Sequence, residues 1–86
     1  MSKDIVPLSQ LANGVSGRVA FLNTQGSNRR HLLDLGLVSG SLVEAIRRSP
    51  SGDPTAFNIK GAIIALRNEI ADQILVSLDD AHKESK

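Results

Sequence analysis

Residues 42–66 read LVEAIRR SPSGDP TAFNIK G AIIAL, and this run decides the fold. Leu42–Arg48 is apolar and β-branched and ends on Arg47-Arg48. Ser49–Pro54 is dense in turn formers, each able to fix a backbone reversal. In Thr55–Lys60, Phe57 and Ile59 alternate with Asn58 and Lys60, the period of a half-buried strand. Gly61 supplies a tight turn into Ala62–Arg67, the third strand of the series.

Working outward, Asn68–Asp72 breaks the strand pattern and fits a single helical or 3₁₀ turn. Gln73–Leu78 is a last strand with Ile74, Val76 and Leu78 on one face. Upstream, Asn28–Leu35 is the clearest helix. Ser27 or Asn28 can cap it, Leu32 and Leu35 share a face, and Arg30 and Asp34 stand i, i+4. Gly36 falls where a left-handed C′ residue is wanted, which makes Leu32 and Leu37 the contacting pair of a Schellman stop. Arg29 and Arg30 lie in the first turn, the unfavourable end for cations, which favours a role toward a partner. Gly17–Leu22 reads as a strand with Val19 and Phe21 on one face. Ile5–Ala12, with Pro7 first and Asn13-Gly14 as a stop, reads as one helical turn.

The pattern predicts a mainly β domain of five short strands, with helical insertions at the N-terminal turn and at Asn28–Leu35. Short strands in so small a chain favour a closed or nearly closed barrel, which hides sheet edges. The domain is expected over 1–78, with 79–86 as a polar tail.

Composition narrows the function. With 86 residues there is room for one small domain. The chain has no cysteine, which removes disulfide frameworks, zinc ribbons and thiol nucleophiles and points to a cytoplasmic protein. Two phenylalanines, Phe21 and Phe57, are the only aromatics, too few for a proline-rich-peptide groove or a base-stacking platform. No apolar run exceeds five residues, so neither a membrane span nor a signal peptide is expected. Net charge is +1, unevenly spread. Residues 18–67 hold seven bases (Arg18, Arg29, Arg30, Arg47, Arg48, Lys60, Arg67) against three acids (Asp34, Glu44, Asp53), for +4. Residues 68–86 hold five acids and two lysines, for −3.

No catalytic constellation is legible. No serine stands in Gly-x-Ser-x-Gly or Ser-x-x-Lys, and Gly14-Val15-Ser16-Gly17 lacks the rest of a phosphate loop. The metal signal is weak: His31 and Asp34, i, i+3 on the helix, are the candidates, and the acids Asp79, Asp80 and Glu84 read as a solvated tail. No enzyme activity and no cofactor are expected.

The ordered series Arg30-His31-Leu32-Leu33-Asp34-Leu35-Gly36-Leu37, Ser39-Gly40, Arg47-Arg48, Pro50-x-Gly52-Asp53-Pro54, Ala65-Leu66-Arg67-x-x-x-Ala71 and Ile74-x-Val76 resembles the ferrous iron transport protein A (FeoA) family. The opening Leu8-Ser9-x-Leu11-x-x-Gly14 fits too, so the resemblance runs from about Val6 to Leu78. It implies an SH3-like β-barrel with helical insertions. It also implies a small cytoplasmic accessory, peripheral at the inner membrane through its partner, the ferrous-iron transporter FeoB with its GTPase-containing cytoplasmic part. The same module is appended to some metal-dependent repressors. With no DNA-binding segment ahead of it, the free-standing accessory is favoured and no nucleic-acid partner is expected.

Gly36, Gly40, Gly52, Asp53, Pro54 and Gly61 carry over as turn-shaping positions. The candidate partner-binding residues are Arg29, Arg30 and Leu37, the basic positions Arg47, Arg48 and Arg67, and an outward-facing Leu75. The alternatives are a metal-sensing or iron-chaperone module that binds Fe(II) weakly, and a small nucleic-acid-binding barrel supported by the basic middle.

Overall fold

A computed structural model describes residues 4–78; the acidic tail and His82 lie outside the described residues. Six strands form one antiparallel sheet: β1 (Ile5–Pro7), β2 (Ser16–Leu22), β3 (Leu42–Arg48), β4 (Thr55–Ile59), β5 (Ala62–Leu66) and β6 (Ile74–Ser77). Their spatial order is β1-β6-β2-β3-β4-β5. The chain is therefore mainly β, but with six strands, and the ends of the sheet, β1 and β5, are not hydrogen-bonded to each other. The expected closure of the barrel is incomplete.

The sixth strand corrects the reading of Ile5–Ala12 as one helical turn. Ile5–Pro7 pairs with Ser77–Leu75 of β6, and only Leu8–Gln10 forms a 3₁₀ turn. Pro7 is tolerated in β1 because this is an edge, where its missing N–H removes no ladder bond that the sheet needs. The buried Leu8 and Leu11 then cap the core beside helix α2 (Asn68–Ala71). The Ser9 hydroxyl donates to an Asp72 carboxylate oxygen just beyond α2, tying the two together.

Helix α1 spans Gly26–Asp34, with Gln25 as an N-cap that makes no side-chain cap bond, so neither Ser27 nor Asn28 caps it. Its C-terminal stop has the geometry the sequence predicts. Gly36 has φ +100°, Leu37 N–H reaches the Leu32 carbonyl at 3.1 Å, and Gly36 N–H reaches that of Leu33 at 3.0 Å. Leu32 and Leu37 are both fully buried, so the stop turns the chain and contributes two core side chains.

The core lies between the concave face of the sheet and α1, α2 and the 3₁₀ turn. Phe57 and Ile59 of β4, Val43 and Ala45 of β3, Val19 of β2, and Ile74 and Val76 of β6 fill it. The turns that join the strands use backbone freedom where the sequence provides it: Gly40, Gly52 and Gly61 all have φ near +90°. Lys60 (φ +52°) and Gly61 form the two-residue link from β4 to β5, the conformation matched to strand twist.

The Asp53 side chain acts beyond its own turn. Its carboxylate accepts the Asn68 N–H at 2.9 Å, while the Asn68 side-chain amide donates to the Gly52 carbonyl at 2.9 Å. The Ser49–Pro54 loop thus supplies, from a distance in sequence, an acceptor to one of the N–H groups that the start of α2 leaves unpaired.

Candidate protein-interaction surface

The exposed apolar side chains are grouped by one backbone irregularity. In β2, Val19 pairs with Val76 and Phe21 with Leu75, so Ala20 is an extra residue and the register shifts between them. A bulge of this kind reverses the inward–outward alternation. Val19 is buried, whereas Phe21 is 53 % exposed; the two do not share a face as expected. Phe21 lies beside Leu75 across the ladder, and Pro7 lies on the other side of Leu75.

Phe21 also forms one wall of an open groove of about 260 Å³ between β2 and α1, lined by Ala20, Phe21, Leu22, Arg29, Leu33, Leu37, Val38 and Ser39. Leu33 (38 % exposed) and Val38 (40 %) complete its apolar lining. Leu37 is fully buried and forms the floor, so it is no exposed anchor. The groove walls are held in place. Val19 and Gly40 exchange bonds with the loop: Val19 N–H donates to the Ser41 carbonyl at 2.9 Å, and Gly40 N–H to the Val19 carbonyl at 2.8 Å. The Arg18 guanidinium donates to the Gly40 carbonyl at 3.0 Å, and the Ser39 hydroxyl to the Ala20 carbonyl at 3.3 Å. A surface fixed before binding loses less conformational entropy when a partner seats on it.

The cationic candidates divide into committed and free. Arg29 donates to the Leu22 carbonyl at 3.2 Å and forms a polar rim of the groove. Arg48 reaches the Ser9 carbonyl at 3.1 Å and braces the 3₁₀ turn against β3. Arg30 is exposed on α1, away from the groove; the ion pair expected with Asp34 does not form. The guanidinium groups of Arg47 and Arg67 have no hydrogen bond or ion pair among the described residues. Leu75 is half-buried and adds apolar area next to Phe21. The structure therefore brings Arg29, Leu37 and Leu75 to one region and leaves Arg47 and Arg67 elsewhere. Phe21 and Val38 are the residues that sequence reasoning missed; Leu33 falls inside the Arg29–Leu37 run, from which it singled out Arg29, Arg30 and Leu37. The bulge that exposes Phe21 leaves no mark in the period of so short a strand.

His31 and Asp34 are both exposed on α1. Among the described residues no group of three or more His, Cys, Asp or Glu side chains is placed to hold a metal ion. Among the described residues no helix is long and apolar enough to cross a membrane.

Solved structures with the same fold include the FeoA protein of Chlorobium tepidum. It is 34 % identical, with a TM-score of 0.81 over 90 % of this chain and 76 % of that one. A FeoA-like protein from Clostridium acetobutylicum is 28 % identical, with a TM-score of 0.80 over 91 % and 90 % of the two chains. The zinc complex of Stenotrophomonas maltophilia FeoA, described as a prokaryotic SH3 domain protein, is 25 % identical, with a TM-score of 0.73 over 88 % and 89 %. Among curated proteins, none matches this chain. The family model described as the FeoA domain matches residues 6–78, the span that contains both helices, the groove and all of the sheet but Ile5, and the chain belongs to the FeoA domain family.

Proposed function

We propose that this protein is a cytoplasmic accessory of ferrous iron uptake that binds and modulates the transporter FeoB through contacts with its GTPase-containing cytoplasmic part. The observation that carries this reading is the preformed apolar groove of Phe21, Leu33 and Val38 on a member of the FeoA family. Exposed aromatic and aliphatic side chains over a rigid floor are the kind of anchor that dominates protein–protein affinity. The Stenotrophomonas relative is described as possibly acting as a ferrous iron transport activating factor, which supports the same role here. Of the sequence-derived partner residues, Arg29 and Leu75 serve at the margins of this groove, while Arg30, on the outer side of α1, is peripheral to it.

Calorimetric titration of the protein into the purified cytoplasmic part of FeoB, with and without guanine nucleotide, tests the reading. Saturable heat and co-elution support it. Neither, in any nucleotide state, overturns it. The metal-sensing alternative rests only on the exposed His31 and Asp34 of α1, and the nucleic-acid alternative only on the basic middle of the sequence.

A further inference from the structure

The two edges of the sheet are protected very differently. Natural sheets blunt their edges with shortness, proline, charge or bulges, because an open edge presents unpaired N–H and C=O groups to any extended chain. β1 is three residues long and contains Pro7. β5 is five residues long, Ala62-Ile63-Ile64-Ala65-Leu66, and has no charge and no proline. It pairs without a register break to β4 alone. The sheet's bulges lie in β2 and β3.

The pairing register tells which groups are open. Ile59 and Ala62 close the two-residue turn and pair directly, as do Phe57 with Ile64 and Thr55 with Leu66. In an antiparallel ladder the alternate residues point their backbone groups the other way. The N–H and C=O of Ile63 and Ala65 therefore face outward along the free edge, and among the described residues they meet no partner. Ile63 is also the most exposed large apolar side chain of the described residues, at 60 %.

Charge selects the occupant. Arg67 follows β5 directly, on the face shared by Ile63 and Ala65. Arg47, Ala56 and Ala65 stand in one row across β3, β4 and β5, and the two alanines leave room for the Arg47 guanidinium to lean toward the edge. Both arginines lack a partner among the described residues. A second copy of this chain pairing through β5 about a two-fold axis at Ile64 would set Arg67 opposite Gly61 and beside Lys60 of the other copy. That juxtaposes cations at both ends.

We propose that β5 is a strand-addition site for an extended segment of the transporter partner. That segment carries neutral side chains opposite Ile63 and Ala65, and an acidic side chain opposite Arg67, with Arg47 in the Ala65 row of the same face. This rests on the reading above, that the domain works by binding the transporter, and it adds a second contact and its conformation. The partner's backbone supplies the affinity through hydrogen bonds to Ile63 and Ala65, and the arginines set register and direction.

Amide exchange measured residue by residue by NMR, on the full chain alone and with the cytoplasmic part of FeoB, tests it. Binding is expected to slow the Ile63 and Ala65 amides at least tenfold and leave Ile64, already bonded to β4, little changed. That alternation distinguishes an added strand from a protein merely resting on the patch. I63P, which removes an outward N–H, and R67E are each expected to weaken binding at least tenfold. Should I63P fail to fold, I63K, which adds an edge charge, is expected to act alike. A complex that forms with Ile63 and Ala65 still exchanging freely overturns the edge site and leaves the functional reading standing. Protection of both amides in the free protein, with dimer by sedimentation, assigns the edge to a second copy and also overturns it. No complex at all overturns the functional reading and the edge site with it.

Discussion

Phe21 is one of two aromatics in the chain, and alternation alone would send it into the core beside Val19. The extra residue at Ala20 turns it out instead, while Phe57 remains wholly buried. Thr55 shows the opposite case, a polar group taken inward. Its side chain is 1 % exposed, and its hydroxyl oxygen is buried without a hydrogen-bond partner. An unmade bond of that kind costs about 1–3 kcal/mol. Thr55→Val keeps the shape and β-branching and removes the orphaned hydroxyl. It is expected to stabilise the fold by about 1 kcal/mol, read as a rise in the urea midpoint; a fall would mean that the hydroxyl is satisfied in solution. That Thr55 begins a strand is legible from its neighbours. That its oxygen lacks a partner depends on β3 and β5 packing on either side, which no local pattern encodes.

At the scale of elements, the parts legible in the sequence are those specified by short-range geometry. The Schellman stop at Leu32–Leu37 needs only a glycine at C′ and two leucines at the correct spacing, and it forms accordingly. Gly36→Ala is expected to destabilise by about 1–2 kcal/mol, because an L side chain at φ +100° is disfavoured. The added Cβ would also stand 3.1 Å from the Lys60 side chain, whose far end can move aside, so the backbone term dominates. Chemical denaturation measures the difference.

Asp53 marks the limit of local reading. Turn chemistry predicts a local cap, yet its carboxylate serves the start of α2. Asp53→Ala is expected to cost about 1 kcal/mol, and Asp53→Asn, which keeps an acceptor, less than half of that. Equal losses in the two variants would show that the Asn68 contact contributes little. The strand β1 escaped the sequence reading for a similar reason: Ile5–Pro7 is too short to show a period, and its pairing with β6 spans the length of the domain.

The whole molecule is a sheet held open at one seam. Five of the six strands and both helices are visible in the sequence, because each has a period, a cap or a turn of its own. The order β1-β6-β2-β3-β4-β5 and the two bulges arise from long-range pairing. The groove is a product of those features. The β2 bulge exposes Phe21, the helix stop buries Leu37 beneath it, and the loop bonded to Val19 and Arg18 brings Val38 alongside. Family membership gives this groove a setting in ferrous iron transport, and its exposed apolar side chains on a fixed frame give it the character of a docking surface.

The central claim is that this groove engages the cytoplasmic part of the transporter. The most direct test is calorimetric titration of that part with the native protein and with Phe21→Ser. Phe21 is half exposed, so losing its buried half is expected to lower folding stability by about 1–2 kcal/mol, and urea denaturation of both proteins shows that they are folded under the titration conditions. Loss of a central anchor costs about 1–2 kcal/mol or more in binding, so affinity is expected to fall at least fivefold with the fold intact. Equal affinity for the two proteins, with both shown to be folded, would contradict the claim.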